Sequence, residues 1–512
     1  MSTAPAPRIV PAPPSPAAEP TPIAPSVGPL PGPESGPIAW DPVRGELVYR
    51  TGDGEELGPA EREAFAALAE ALPAILAPLE PGADAARRRE HLGSAIDGYL
   101  LRRHPGLAPE GRERIRRRFL RDALGFGPID PLLSDPEVED VSCSGPGLAV
   151  YVHHARFEGL RTDVVFPDER TLEGFVQRLA QRCGRPLSVA HPLLDGSTPE
   201  GHRVQATFAR AVSPRGPSFT LRRLRERPWT PVDLMRAGTV DPAILAYLWL
   251  AAEEGDSAIV CGGPGAGKTS LLNALTLFVP PSARIVSIED TRELQLPHPN
   301  WIAAATRGPP IEVPGESPAG PTERIGMHEL LAAALRQRPT HLLVGEVRGR
   351  EAHALFQAMQ TGHVTLATVH ADSARGLVAR LTGPPVGVPK PLFGALRTIL
   401  VESVTTHPSG LRRRLAEVVE VRGVDPVTEE LWTDPVFRHD PATDRFDFLG
   451  RADLFDRIAA GLGTGTGPVL AEFRRRAEAL AGWLGSDPPS PAEFWRWAHA
   501  TRSGWRREAA GR

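Results

Sequence analysis

The chain has 512 residues, which is enough for about two to four domains with cores of their own. Its formal net charge of −4 is close to balanced and argues against a dedicated nucleic-acid binder, and its three cysteines include no Cys-x-x-Cys pair, which argues against a cysteine-based zinc site. No apolar run approaches the roughly 18 residues of a membrane span, and no signal-peptide pattern opens the chain, so we expect a protein of the reducing cytoplasm.

The N-terminal quarter falls into two predicted regions. Residues 1–40 are rich in proline and alanine and poor in aromatic residues, a composition that predicts a disordered tail. Residues 41–125 are predicted to be helical, and their helix at 112–120 is basic. We interpret its arginines as a solvated face, with the apolar positions turned to a core. The alternative is a surface for an acidic partner or anionic lipid.

Residues 126–228 predict a small α+β domain. Short segments bounded by turn residues indicate strands, and a longer periodic segment indicates a helix at 172–182. The predicted strands are 138–143, 149–152, 162–166, 204–208 and 218–221. Residues 229–256 follow as a proline-bearing linker and a helix.

The rest of the chain is predicted to divide at residue 405. From 257 to 405, apolar strands alternate with helical segments at the spacing of a parallel sheet, with a proline- and glycine-rich surface loop at 306–322. Residues 406–512 predict strands and then helices, and the aromatic cluster at 494–497 is interpreted as core or a docking face. The predicted fold class is therefore α/β, with a parallel-sheet P-loop domain behind a smaller α+β domain and a helical or disordered extension.

One short stretch carries the most specific motif of the chain. It fits the phosphate-binding pattern G-x-x-x-x-G-K-[ST] and consists of Gly262, Gly263, Pro264, Gly265, Ala266, Gly267, Lys268 and Thr269, with Ser270 in the helix that follows. We call Gly262–Thr269 the phosphate loop. A strand, a glycine turn and a helix N-terminus together supply converging backbone N–H groups and a positive helix end, which bind phosphate.

Lysine usage supports this assignment. Lys268 and Lys390 are the two lysines of the whole chain, whereas arginine supplies the other permanently charged cations. A compact ammonium fits between the β- and γ-phosphates, and a planar guanidinium fork does not. The lysine at this loop position therefore indicates a phosphate contact.

Acidic side chains follow the apolar strand predicted at 284–288. Glu289 and Asp290 come directly after it, and Glu293 lies three residues further on. Since the carboxyl ends of parallel strands meet at one edge of a sheet, we expect Glu289 and Asp290 near the metal and the site wall. Glu293 is predicted to orient or deprotonate the attacking water. Such a cluster, taken alone, is also typical of a solvated loop.

Two further strands end at the same predicted edge. Glu346 follows the apolar strand at 341–344, and we predict that Glu346 and Thr269 hold Mg²⁺. A strand at 364–369 ends at His370, which on chemistry alone is equally consistent with a structural histidine and with a donor to the γ-phosphate. The guanine-reading element Asn-Lys-x-Asp does not occur in the sequence, so ATP is the predicted nucleotide.

These motifs, in this order, resemble the secretion ATPase superfamily, which powers type II and type IV secretion, type IV pili and archaella. The matching elements are Gly262–Thr269, Glu289–Glu293, Val344–Glu346 with Arg348, and Gly362–His370. The resemblance covers about residues 125–450 and is nearest to the archaeal-type and tight-adherence branch. His191 departs from the pattern, because close relatives more often have an acid there.

The resemblance implies a homo-hexameric ring, each subunit having an N-terminal domain and a RecA-like domain with ATP at their interface. It also implies arginines that close on the phosphates, here Arg203, Arg222, Arg336 and Arg348. Taken singly, each arginine is equally consistent with a surface ion pair. The implied partner is an inner-membrane platform protein, and the implied location is the cytoplasm at the inner face of the membrane, with peripheral membrane contact.

Two other functions are compatible with the same motifs. A DNA-transfer or DNA-uptake ATPase of this fold would show salt-sensitive DNA binding by the basic helix at 112–121. A nucleotide-gated scaffold would bind ATP without hydrolysing it, and the presence of Lys268, Glu293 and Glu346 argues against that function.

Overall fold

The computed structural model describes residues 37–52, 57–76, 84–306, 325–407, 410–428, 430–501 and 505. The predicted tail over 1–40 lies outside these residues except for 37–40, and the predicted loop at 306–322 lies outside them except for Thr306. Within the described part of the chain, no helix combines the length and the apolar character needed to cross a bilayer.

The first sheet has eight strands and belongs to the N-terminal half of the chain. Its strands are β1 (Ile38–Asp41), β2 (Glu46–Tyr49), β3 (Val138–Cys143), β4 (Ala149–His154), β5 (Glu158–Val165), β6 (Leu193–Ser197), β7 (Arg203–Thr207) and β8 (Ser218–Arg222). They stand in the order β1-β2-β5-β4-β3-β8-β7-β6. Each neighbouring pair is antiparallel except β2 and β5, which run parallel.

Among the described residues, five α-helices accompany this sheet: α1 (Pro59–Ile75), α2 (Ala85–Arg103), α3 (Pro109–Leu124), α4 (Asp130–Ser134) and α5 (Glu169–Arg182). The helix α5 buries its apolar face in the core that the sheet also lines. The helices α1, α2 and α3 share a separate small core. In α3 the inner positions Ile115, Phe119 and Leu120 are buried, as predicted for a basic helix with a solvated face.

The prediction of helix from residue 41 onward is wrong at its start. The strands β1 and β2 form a hairpin there, and Gly45 in the turn has a φ of 68°. The hairpin joins the sheet through β5, and the Tyr49 hydroxyl donates a hydrogen bond to Asp135 at 2.8 Å. Each strand has only four residues, so pairing with distant β5 fixes a structure that local periodicity does not specify.

The second sheet has nine strands: β9 (Ala258–Gly262), β10 (Ile285–Glu289), β11 (Trp301–Ala305), β12 (His341–Val344), β13 (Val364–His370), β14 (Thr398–His407), β15 (Gly410–Val424), β16 (Leu431–Asp440) and β17 (Arg445–Phe448). Their order is β11-β10-β12-β13-β9-β14-β15-β16-β17. The first six are parallel, and the last three join antiparallel. The predicted α/β class with a parallel sheet is thus confirmed, and the ends of β9, β10, β12 and β13 meet at one edge.

Nine α-helices belong to the described second half: α6 (Pro231–Arg236), α7 (Pro242–Glu254), α8 (Lys268–Thr276), α9 (Met327–Leu335), α10 (Glu351–Gln360), α11 (Ala374–Thr382), α12 (Asp453–Leu462), α13 (Thr466–Ala481) and α14 (Pro491–Thr501). Two apolar cores involve this sheet and these helices. Phe494 of α14 is fully buried, with its ring 5.7 Å from that of Phe278, so the C-terminal aromatic cluster is part of the core.

Candidate nucleotide-binding site

The shape of the phosphate loop follows from the way β9 ends. Gly265 and Gly267 have φ of 67° and 108°, a left-handed conformation that L side chains rarely adopt. A Cβ atom on Gly262 would lie 2.7 Å from the backbone oxygen of Glu402 on the neighbouring strand β14. Backbone geometry therefore requires these three glycines, and α8 begins directly afterwards at Lys268.

Lys268 is the central charge of the site and is buried. Its Nζ donates a hydrogen bond to the carbonyl oxygen of Gly263 at 2.7 Å and lies 3.2 Å from His370 Nδ1. Burial lowers the pKa of Lys268 below its usual range. Because an ammonium group only donates, we assign Nδ1 of His370 as the acceptor and place the imidazole proton on Nε2. The lysine is thus held by two acceptors that phosphate oxygens can replace.

Glu346 lies just beyond the carboxyl end of β12. Arg348 Nη2 donates to its Oε2 at 2.5 Å, and His370 Nε2 lies 3.0 Å from its Oε1 without the alignment of a hydrogen bond. Burial alone would raise the pKa of Glu346, but the bond from Arg348 and the neighbouring charges hold this pKa below its usual range. Burial and the charge of Lys268 lower the pKa of His370. An ionised carboxylate therefore faces a neutral imidazole at neutral pH.

Glu289 shapes the turn that carries Glu293. Its Oε1 accepts hydrogen bonds from the backbone N–H groups of Glu293 at 2.8 Å and Leu294 at 2.9 Å. Burial raises the pKa of Glu289 to about 7, and the two N–H bonds oppose this shift. These contacts favour a positioning role for Glu289 over the predicted role near the metal. Asp290 lies on the other side of the turn, 3.8 Å from Arg348 Nη1.

The structure brings nearly all of the predicted site residues to one cavity of about 480 Å³, which we call the nucleotide cavity. Residues from both sheets line it. The predicted residues among them are Arg203, Arg222, Pro264, Gly265, Ala266, Gly267, Lys268, Thr269, Ser270, Glu289, Asp290, Glu293, Glu346, Arg348 and His370. Gly262 and Gly263 lie behind this lining, where β9 enters the phosphate loop.

The four predicted arginines are placed differently. Arg222 enters the nucleotide cavity while its Nε donates to Asp140 at 3.0 Å. Arg203 also lines the cavity, with its Nε 3.5 Å from Asp195. Arg336 is exposed at the C-terminal end of α9 and does not line the nucleotide cavity of its own chain.

Sequence reasoning missed a carboxyl group directly beneath the phosphate loop. Glu402 lines the nucleotide cavity, is 2% exposed, and has no hydrogen-bond partner among the described residues for either carboxylate oxygen. Burial raises its pKa to about 8, while the charges of Lys268 and Arg413 oppose this shift. The apolar run 399–401 precedes Glu402 within β14, and an apolar run before an acid is the pattern that identified Glu346, so the same reasoning would have found Glu402.

A second missed residue is Arg413 on β15. Its Nε donates a hydrogen bond to the carbonyl oxygen of Gly265 in the phosphate loop at 2.7 Å. Arg413 stands in a run of three arginines, 412–414, and no local pattern distinguishes it from its neighbours. Its place at the site depends on the antiparallel return of β15 along β14.

A phosphate loop on a central parallel strand, facing carboxylates at the ends of adjacent strands, defines a nucleotide-binding P-loop protein. The chain belongs to the type II/IV secretion system protein family, whose model matches residues 122–402. The resemblance inferred from the motifs is thus confirmed at the level of this superfamily, and the finer placement near the archaeal-type and tight-adherence branch stays a prediction.

Individual relatives cover different shares of the chain. An uncharacterized protein of Methanocaldococcus jannaschii is 37% identical over 361 residues, which are 70% of this chain and 64% of that protein. The type IV secretion system protein PtlH of Bordetella pertussis is 32% identical over 320 residues, 58% of this chain and 92% of that protein. The solved structure of the Legionella pneumophila ATPase DotB is 13% identical, covers 83% of this chain and 98% of its own, and superposes with a TM-score of 0.40.

Proposed function

We propose that this protein is an ATP-hydrolysing hexameric motor of a type II or type IV secretion, pilus or archaellum-like assembly machine. The observation that carries this proposal is the meeting of Lys268, Glu293 and Glu346 at the phosphate loop in one cavity. A protein that only binds nucleotide needs the lysine but neither carboxylate. Membership of the type II/IV secretion family supports the same conclusion.

The residues present suit ATP with Mg²⁺. The Thr269 hydroxyl and the Glu346 carboxylate are hard oxygen donors that line the cavity beside Lys268. In the described part of the chain, no three His, Cys, Asp or Glu residues lie close enough together to bind a metal ion by themselves. This suits Mg²⁺, which takes most of its ligands from phosphates and water. When bound, Mg²⁺ neutralises charge on the β- and γ-phosphates.

The protein's own contribution would be positioning and electrostatics. Lys268 exchanges the Gly263 carbonyl and His370 for phosphate oxygens, which frees the neutral imidazole to respond to the γ-phosphate. Glu293, held in place through its backbone bond to Glu289, orients or deprotonates the attacking water. Arginines at the cavity then neutralise the charge that develops in the transition state.

The proposal extends to assembly and partners. Arg336 is exposed and lies away from the nucleotide cavity of its own chain, which suits a ring in which this arginine reaches the site of the next subunit. ATP binding and hydrolysis would change the arrangement of the two sheets, and this motion would drive an inner-membrane platform protein from the cytoplasmic side. The name of the relative PtlH, a type IV secretion system protein, supports a role in a secretion system.

Steady-state ATPase activity with Mg²⁺, measured beside the molecular mass from light scattering, tests the proposal. We expect turnover by the parent that is highest in hexameric fractions. Glu293→Gln should bind ATP but hydrolyse it at least about 100-fold more slowly, since the water loses its base. Lys268→Ala should lose binding, whereas Lys390→Ala, at the other lysine of the chain, should behave as the parent.

Each other outcome separates a rival function. ATP binding without hydrolysis, in the presence of anionic lipid as well, would contradict the motor and support a nucleotide-gated scaffold. Turnover that rises with added DNA and falls steeply with salt would contradict a protein-assembly motor and support DNA transfer. Equal turnover by Glu293→Gln and the parent would contradict the role of Glu293.

A further inference from the structure

One guanidinium group connects three distant parts of the chain at the edge of the nucleotide cavity. Arg413 stands on β15, beyond residue 402, where the match to the family model ends. Its Nε donates to the Gly265 carbonyl oxygen in the phosphate loop at 2.7 Å, and its Nη2 donates to Glu139 Oε2 on β3 at 3.5 Å. A single side chain of the second sheet thus contacts both the phosphate loop and the first sheet.

Both ends of this connection stand beside interruptions in regular pairing. In β3, the register with β4 shifts at Glu139, which is left between the paired residues Val138 and Asp140. In β15, Ala416 is the extra residue, because Glu417 pairs with Val401 and Leu415 pairs with the next residue of β14. Bulges bend a strand and re-aim side chains, and they are common next to active sites. Each strand is therefore distorted close to the residue that takes part in the contact.

Glu139 has basic neighbours from several elements. Its Oε1 accepts from Arg225 Nη2 at 3.5 Å, and its Oε2 lies 3.7 Å from His153 Nε2. The bond from Arg413 is thus one of three contacts between this carboxylate and cationic or titratable groups. Without Arg413, Glu139 would keep its contacts with Arg225 and His153. The loss of Arg413 should therefore change the stability of the whole fold little and the conformation of the phosphate loop more.

We propose that Arg413 is a positioning residue, which holds the phosphate loop in its binding conformation and links loop occupancy to the first sheet through Glu139. The Nε–H and Nη2–H groups point in fixed directions from one planar group. A shift of the loop relative to β3 must therefore weaken one of the two bonds. Nucleotide binding at the loop and the position of the first sheet are then coupled. By linkage, each changes the free energy of the other by the same amount. The identity of the nucleotide rests on the proposed function, whereas the anchoring of the loop does not.

The test compares Arg413→Ala with Arg412→Ala, its neighbour on β15, which pairs with Asp444 at 3.2 Å. Hydrogen exchange of the nucleotide-free protein reads the loop directly. In Arg413→Ala, backbone amides at 262–270 should exchange about tenfold faster, because a charge-assisted hydrogen bond to the loop is lost. In Arg412→Ala, exchange at the loop should match the parent. Unchanged exchange at the loop in Arg413→Ala would overturn the proposal.

Binding of a fluorescent ATP analogue gives the second readout. Arg413→Ala should raise Kd and KM roughly tenfold with a smaller change in kcat, since a preorganised loop serves ground state and transition state alike. Glu139→Gln should raise Kd less, and the double variant should bind no more weakly than Arg413→Ala alone. Strictly additive effects, or a lowered Tm with unchanged Kd, would overturn the link. Failure of the parent itself to bind ATP would contradict the proposed function, while the exchange result still decides the anchoring.

Discussion

Glu346, just beyond the end of β12, and Glu402, in the middle of β14, place two carboxyl groups near the same lysine, and their pKa values are shifted in opposite directions. Glu346 accepts a bond from Arg348 and lies near His370, and its pKa is held below the usual range. Glu402 has no hydrogen-bond partner among the described residues, and burial raises its pKa to about 8. A buried, mainly apolar run precedes each of them. The comparison shows that the depth of burial of a carboxyl group and the cations and donors around it together decide whether it is charged.

The largest expected effect comes from removing the charged member of this pair. Glu346→Gln should lower ATP turnover at least about 100-fold, because a neutral amide replaces the carboxylate that would hold Mg²⁺. Binding of ATP without metal should change little. The control is Glu417→Gln. Glu417 lies on β15, and its carboxylate pairs with Arg438 of β16 at 2.8 Å. Near-parental turnover by Glu346→Gln would show that the ionised state of Glu346 has no part in the chemistry.

The second expected effect concerns stability and pH. The pKa of Glu402 rises from 4.5 to about 8 on folding, so its favourable contribution is complete below pH 4.5 and is lost as pH rises through 8. Between these two pH values, each pH unit lowers the free energy of unfolding by about 1.4 kcal/mol for this one proton. Glu402→Gln cannot ionise and should lack this pH-dependent loss of stability. Its free energy of unfolding in urea, relative to that of the parent, should therefore rise from pH 5 to pH 8.

Glu346 gives the matching measurement with the opposite sign. Its pKa is lowered on folding, so its contribution is present above pH 4.5 and is lost as pH falls through the folded pKa. In the same urea series, Glu346→Gln should therefore be least stable, relative to the parent, at neutral pH. Parallel pH profiles for the two variants would contradict the assigned charge states.

The smallest expected effect concerns the imidazole of His370, which lies between Lys268 and Glu346. His370→Asn should lower kcat about fivefold with little change in KM, because one hydrogen bond near the γ-phosphate is lost. His363→Asn is the matched control at the other end of β13, where His363 contacts the Thr361 hydroxyl at 3.1 Å. Equal kcat for both variants would make His370 a structural histidine.

Local patterns in the sequence were sufficient for much of this site. The phosphate loop was identifiable because glycine spacing, a strand and a helix start lie within a few residues of one another. Glu346 and His370 were identifiable because Glu346 lies just beyond an apolar strand of a parallel sheet and His370 ends another. Parallel order then brings such ends together whatever their distance along the chain.

Other features depend on pairing that no local pattern specifies. The hairpin of β1 and β2 is held by β5, more than a hundred residues away. Arg413 reaches the phosphate loop only because β15 returns antiparallel along β14. Glu289 lines the nucleotide cavity, but its buried carboxylate accepts hydrogen bonds from the backbone of the following turn. Which hydrogen bonds a side chain makes was thus harder to predict than where it lies.

The lowered pKa of Lys268 makes its amine more reactive towards chemical labelling than an ordinary lysine amine. An amine whose pKa is lowered carries a larger neutral fraction, and the neutral form is the one that reacts with acylating reagents. Since Lys390 is the other lysine of the chain, a peptide map of acylated lysines contains two sites, one inside the nucleotide cavity and one outside it. Slower acylation of Lys268 relative to Lys390 then reports the fraction of phosphate loops that are occupied by ligand, without any substitution in the protein.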